Sequence, residues 1–194
     1  MISLAGPVSP LLGLLRGTVL ELGPGSGASL SHYAADVRWI GVEPDAGHRA
    51  HLRLAAARLG RPVRLLPGRA ERVDLPDASV DAAVATFVLC SVTDQRAALA
   101  ELLRVLRPGG RFVFAEHVAA PAGTWLRRAQ HATALAGRAF GSRCAPDRDT
   151  LPALERSGFD VVELHSYARA GPFGTRIPHI AGAAQRPAVP EGTR

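Results

Sequence analysis

Residues 18–27, TVLELGPGSG, constrain the fold more than any other stretch of this chain. Val19, Leu20 and Leu22 form an apolar run around Glu21. The chain then breaks into Gly23-Pro24-Gly25-Ser26-Gly27 before polar, helix-compatible sequence resumes. That order describes a buried strand ending in a glycine-rich turn that opens a helix. Glycines at alternate positions carry no Cβ, so backbone N–H groups there can come close to a ligand. The turn satisfies G-x-G-x-x-A through Gly23, Gly25 and Ala28, and G-x-G-x-G through Gly23, Gly25 and Gly27. An ordinary glycine turn meets either pattern when taken alone.

Glu43 closes a second apolar run, VRWIGVE, 20 residues after Gly23. A carboxylate at that place can accept hydrogen bonds from ribose hydroxyls. Turn and acid together indicate a nucleotide-like ligand, and they suit NAD and S-adenosylmethionine alike. Further along, strand and helix alternate to about residue 120. Strands are expected at 18–22, 37–43, 63–66, 80–89 and 111–118, with helices at 28–35, 46–59 and 94–106. Leu99, Leu102, Leu103 and Leu106 recur at helical spacing in the last of these. Beyond it, helices are expected at 122–139 and 150–157, and strands at 159–168 and 177–183. The expected fold is α/β: a Rossmann-like, doubly wound, mostly parallel seven-stranded sheet with helices on both faces and the last strand antiparallel. Ligands in such sheets sit beyond the carboxyl ends of the strands.

The 194 residues fit one domain. Residues 1–17 read as a short leader with a weak helical turn at 11–16, residues 18–184 as the domain, and residues 185–194 as a disordered tail. Residues 11–15 are too short an apolar piece to span a bilayer, and no membrane anchor is expected. The formal charge is +6, but all 23 basic residues are arginines scattered along the chain, so no nucleic-acid partner is expected. Cys90 and Cys144 are far apart, without C-x-x-C spacing, which argues against zinc and against a disulfide framework. No metal is expected, and the setting is read as reduced and cytoplasmic.

An NAD enzyme needs a second mononucleotide half, which the sequence after residue 86 does not supply. The segments ELGPGSG (21–27), GVEPD (41–45), GRAERVDLPDASVD (68–81), VLCSV (88–92) and LRPGGRFVFAEH (106–117) together resemble the class I S-adenosylmethionine-dependent methyltransferases. VLCSV, LRPGG, EHV, Thr124-Trp125, Gln130, Cys144 and the closing Pro178-His179-Ile180 narrow the resemblance to the methyltransferase-like thiol S-methyltransferases. The resemblance implies S-adenosylmethionine as cofactor and a small-molecule methyl acceptor. It implies that Glu21, Gly23, Gly25 and Gly27 form the turn around the methionine moiety and that Glu43 binds the ribose. Pro44 would pack by the adenine, and Ala70 and Glu71 would contact its edge. Thr86, Phe87 and Leu89 would face the methionine part and the sulfonium.

The reaction expected is methyl transfer to a small, apolar acceptor, a thiol among the candidates, by in-line displacement. Alignment of the reacting atoms is then the protein's main task. A quinone C- or natural-product O-methyltransferase shares these motifs, and a cofactor-binding protein without turnover is the reading from another class. His117 and His179 are the candidate bases, each balanced against a structural role. Trp125 and Gln130 are candidate substrate contacts. Cys90 reads as a small buried residue at a strand end.

Overall fold

The computed structural model describes residues 7–139, 144–171 and 174–188. Seven strands form one sheet: β1 (Thr18–Leu22), β2 (Arg38–Val42), β3 (Val63–Leu66), β4 (Val80–Thr86), β5 (Leu106–His117), β6 (Asp160–Ala170) and β7 (Arg176–Gln185). Their order is β3-β2-β1-β4-β5-β7-β6. The first five pair in parallel, and β7 runs antiparallel to both β5 and β6. From β1 the chain winds outward through β2 and β3, then returns to the other flank of β1 as β4. That reversal opens a crevice at the carboxyl ends of β1 and β4, where the glycine turn lies.

Alternation along the strands divides the core between the two faces. Leu20, Leu22, Ala83, Ala85, Phe112 and Phe114 pack on one face, against Ala98, Leu99, Leu102 and Val105 of helix α3 (Gln95–Val105). Val19, Ala82, Val84, Val113 and Ala115 pack on the other. That face is covered by Leu52 and Ala56 of α2 (Ala46–Arg58) and by Val8, Leu11 and Leu12 of α1 (Val8–Gly13), with Leu15 just beyond. The expected leader therefore contributes a helix to the core, because Val8, Leu11, Leu12 and Leu15 fall on one helical face. Asp45 and Asp94 cap α2 and α3, accepting the N–H groups of His48 at 2.7 Å and Ala97 at 3.1 Å.

Three local expectations change. The helix expected at 28–35 is only a 3-10 turn, Leu30–His32, because Ser29 and Tyr33 turn their hydroxyls inward onto Glu21 and Tyr33 is already extended. Strand β4 stops at Thr86, three residues early, because Phe87 adopts a left-handed φ of +57°. Strand β5 begins at Leu106, five residues early, and passes Pro108-Gly109-Gly110 as a bulge between the Val80–Leu106 and Ala82–Arg111 pairs.

Helix α4 (Trp125–Ala139) and the short α5 (Thr150–Glu155) follow β5. At the carboxyl end, Gln185 still belongs to β7. Arg186 is tied down too: its N–H donates to Gly110 O at 2.9 Å, and its guanidinium donates to Leu103 O at 2.7 Å. Residues 189–194 of the expected tail lie outside the described residues. No described helix is long and apolar enough to cross a membrane.

Candidate active site

Two recesses meet at the glycine turn, and Gly23, Gly25 and Phe87 line both. The first, of about 310 Å³, is also walled by Glu43, Pro44, Ala70 and Glu71. The second, of about 240 Å³, is also walled by Glu21, Ser29 and Thr86. Gly23 and Gly25 have φ of +53° and +55°. A Cβ on Gly25 would meet nothing within 4 Å, so it would project into open space at the turn. Its N–H donates to Glu43 Oε2 at 3.1 Å, while Glu43 Oε1 accepts from Asp45 N–H at 3.0 Å. The acid at the end of β2 thereby fixes both the turn and the start of α2.

Glu21 is fully buried. Its Oε2 accepts from Ser29 Oγ at 2.7 Å, Tyr33 Oη at 2.8 Å and Trp39 Nε1 at 2.9 Å. Its Oε1 has no hydrogen-bond partner among the described residues. Burial holds the carboxyl above its ordinary pKa despite those three donors. Glu71 Oε1 accepts the N–H of Thr93 at 2.7 Å, which ties the loop after β3 to the residues before α3.

Two of the expected cofactor residues line neither recess. Gly27, with φ of +81°, packs under the turn, where a Cβ would come within 2.8 Å of Leu52 Cδ2. Leu89 is completely buried in the core, because the left-handed Phe87 rotates the chain inward after β4. Of the expected substrate contacts, Trp125 stands 66% exposed at the start of α4. Gln130 is buried and committed to backbone: its Oε1 accepts Ala120 N–H at 2.7 Å, and its Nε2 donates to Val118 O and Pro146 O, each at 3.0 Å. It pins the exit of β5 to the loop before α5.

The two expected histidines lie opposite each other in the β5–β7 register, with ring centroids 4.6 Å apart. Both touch the Phe87 ring, His117 at 4.9 Å and His179 at 5.7 Å. His179 Nδ1 lies 2.8 Å from Ile177 O, so Nδ1 carries the proton and Nε2 keeps its lone pair. Burial lowers its pKa and keeps the ring neutral.

Sequence reasoning missed two groups here. Glu116, fully buried at the end of β5, accepts the N–H groups of Val88, Leu89 and Cys90 at 2.8–3.0 Å and so shapes the loop after Phe87. Burial pushes its carboxyl up to about 7 against those three donors. The other group is a triangle. Cys90 Sγ and Cys144 Sγ lie 3.8 Å apart, and His117 Nδ1 is 3.6 Å and 3.7 Å from them. The sulfur–sulfur pairing and the His117 ring draw the Cys144 thiol down to about 4, while that pairing and burial push Cys90 upward. An acid on the last inward position of a strand was the available signal for Glu116. No spacing signalled the triangle.

Residues 20–114 match the family model of a methyltransferase domain. The chain is 34% identical over 183 residues to thiol S-methyltransferase TMT1A of Homo sapiens, covering 93% of this chain and 72% of that protein. It is 35% identical over 181 residues to TMT1B of Mus musculus, covering 88% and 73%. A ubiquinone/menaquinone biosynthesis C-methyltransferase of Caulobacter is 43% identical over only 91 residues, 46% of this chain. Among solved structures, an S-adenosylmethionine-dependent methyltransferase of Methanosarcina mazei superposes with a TM-score of 0.75 at 19% identity, covering 97% of this chain and all of that one. The [4+2]-cyclase SpnF superposes equally well, 0.75 at 20% identity over 93% and 80% of the two chains, so the fold alone does not fix the chemistry. Identity of 34% sustained over 93% of the chain does fix the lineage: the chain belongs to the thiol S-methyltransferase family and is an S-adenosylmethionine-dependent methyltransferase.

Proposed function

We propose that the protein transfers the methyl group to the sulfur of a small, apolar thiol. The observation that carries this reading is the neutral His179, whose ring packs edge-on with the Phe87 ring that walls both recesses. A thiol with a pKa near about 8.5 is partly ionised at neutral pH and needs only a weak proton acceptor. A phenol or carbon acid needs a stronger and closer base. His179 accepts the thiol proton on its way to solvent, and the Phe87 ring holds an apolar acceptor toward the glycine turn.

The residues at the turn suit S-adenosylmethionine. Glu21 Oε1, buried without a partner among the described residues, is an acceptor suited to the ammonium of the methionine moiety. Gly25 leaves the space a Cβ would fill. Glu43 retains acceptor capacity for ribose hydroxyls, since each carboxylate oxygen carries two lone pairs and the N–H groups of Gly25 and Asp45 occupy one on each. Ala70 and Glu71 bound the far side of the larger recess, where the adenine edge would lie. When bound, the cofactor supplies an electrophilic methyl group on a sulfonium. The chain's own residues orient the two partners and exclude water.

The test is a library of thiols, phenols and quinols incubated with S-adenosylmethionine and analysed by mass spectrometry. Methylated thiols are the expected products. Methylation confined to quinols or phenols would overturn the thiol assignment.

A further inference from the structure

We propose that Cys90, His117 and Cys144 form a three-ligand site for a thiophilic divalent cation, Zn²⁺ in the first instance, whose open fourth position receives the acceptor thiol. This deepens the thiol reading above and rests on it. Tetrahedral zinc with Zn–S of about 2.3 Å and Zn–N of about 2.0–2.1 Å requires sulfurs about 3.8 Å apart and sulfur–nitrogen separations of about 3.6 Å. The measured triangle is 3.8 Å, 3.6 Å and 3.7 Å. An ion at its centre would need almost no movement of the ligand atoms.

The donor set is soft, two sulfurs and one imidazole, which selects zinc over magnesium or calcium. Three protein ligands with a vacant fourth position are the pattern of a reactive zinc site, whereas structural sites are closed by four. Cys90 is buried, but His117 and Cys144 are only half-buried, so one side of the triangle remains reachable. The triangle adjoins the glycine turn: the His117 ring packs on Phe87, which walls both recesses, and Ser91 Oγ lies 3.5 Å from Cys90 Sγ.

The ligands are supported from behind. Glu116 holds the Cys90 N–H at 3.0 Å, Ala145 N–H donates to Cys90 O at 2.8 Å, and Thr150 Oγ1 lies 3.5 Å from His117 O. The Ala145–Cys90 bond clamps the residue after Cys144 onto the loop following β4, and so brings together two cysteines distant in sequence. The expectation of no zinc came from their spacing in sequence, which does not register this clamp.

In the step this site performs, the acceptor S–H loses its proton to solvent and its sulfur lone pair bonds to the cation. A metal-coordinated thiol is deprotonated outright. No electrons are transferred, and the bound thiolate keeps a further lone pair with which to accept a methyl group.

The purified, reduced protein is titrated with Co²⁺ as a spectroscopic stand-in for zinc. The expected result is a thiolate-to-cobalt charge-transfer band saturating at a single ion per chain. Cys144→Ser should lose most of that band, as should Cys90→Ser, with circular dichroism establishing that each variant is folded. Adding a small thiol acceptor should then shift the visible cobalt bands of the wild-type protein. Absence of the band, with both cysteines shown to be reduced by thiol titration, overturns the metal site. A band that no thiol shifts overturns the acceptor role. Calorimetric titration of the metal-free protein with S-adenosylhomocysteine is read separately, so failure of the methyltransferase reading and failure of the metal site are told apart.

Discussion

Glu43 Oε2 accepts the Gly25 N–H at 3.1 Å, so the acid that ends β2 and the turn that follows β1 form one unit. Neighbouring parallel strands deliver them to the same edge, with Leu22 beside Val42 in the register. Removing the carboxylate in Glu43→Ala deletes this bond, the bond to Asp45 N–H and the acceptor proposed for ribose hydroxyls. A hydrogen bond to a charged group contributes about 1.5–3 kcal/mol. The expected outcome is a loss of S-adenosylhomocysteine affinity of about 10- to 100-fold by calorimetry.

Gly25 and Gly60 separate backbone strain from ligand space. Both are left-handed, with φ of +55° and +62°, and a Cβ on either meets nothing within 4 Å. Gly25 lines both recesses, whereas Gly60 follows α2 at the other end of the sheet. Alanine at either position should lower stability by about 1–2 kcal/mol, the cost of holding an L-residue in that region. Binding should then distinguish them. Gly25→Val is expected to abolish S-adenosylhomocysteine binding while the protein stays folded, and Gly60→Ala to bind as the parent does. Equal affinities would place the cofactor elsewhere.

Glu21 gives a pH signature. Its folded pKa is raised by burial, so the folded state holds this proton more tightly than the unfolded chain. Stability then falls as pH rises from the ordinary carboxylate range through the folded value, because the native state binds more protons across that window. Glu21→Gln removes the buried charge and keeps an acceptor for Ser29, Tyr33 and Trp39. The melting temperature of the variant relative to the parent should therefore rise as pH climbs above the ordinary carboxylate range. Its cofactor affinity should fall, because a neutral amide replaces the carboxylate proposed to face the ammonium. A relative melting temperature independent of pH would contradict the charge assignment.

Gln130 separates framework from site. Its three hydrogen bonds among the described residues all go to backbone, and Gln130→Ala leaves the Ala120 N–H and the Val118 and Pro146 carbonyls without it. A buried polar group left unsatisfied costs about 1–3 kcal/mol. The expected result is a loss of about 2–4 kcal/mol in urea unfolding, with S-adenosylhomocysteine affinity of the folded protein unchanged.

The glycine-turn end of the candidate site was legible because its signals are local. A strand, a glycine turn and an acid 20 residues on are set by chain geometry within a single β-α-β unit, and α3 announces itself through Leu99, Leu102 and Leu103. The acceptor end was not legible, because period-two alternation reports which face a residue takes and nothing about its partners across the sheet. Leu89 reads as the end of a long apolar strand, yet the turn at Phe87 sends it into the core. Gln130, in a polar stretch beside the exposed Trp125, shows no local sign of the backbone groups it meets. Cys90, His117 and Cys144 come together only after β4, β5 and the loop before α5 have docked.

Phe87 concentrates these relationships in one residue. A bulky side chain at φ of +57° is uncommon, and the conformation persists because Phe87 N–H donates to Ala115 O at 2.7 Å while Glu116 holds the next three N–H groups. Asparagine tolerates the left-handed region better than phenylalanine does. Phe87→Asn therefore relieves strain but removes the ring that lines both recesses and packs on His117 and His179. If the ring's role is to position the acceptor, stability should stay within about 1 kcal/mol of the parent while kcat/KM for a thiol falls by about 100-fold, the cost of misplacing reacting atoms by about 1 Å. Cofactor affinity should fall much less, since Glu21, Gly25 and Glu43 are untouched. Stopped-flow kinetics with calorimetry distinguishes this outcome from a general collapse of the site, in which affinity and rate would be lost together.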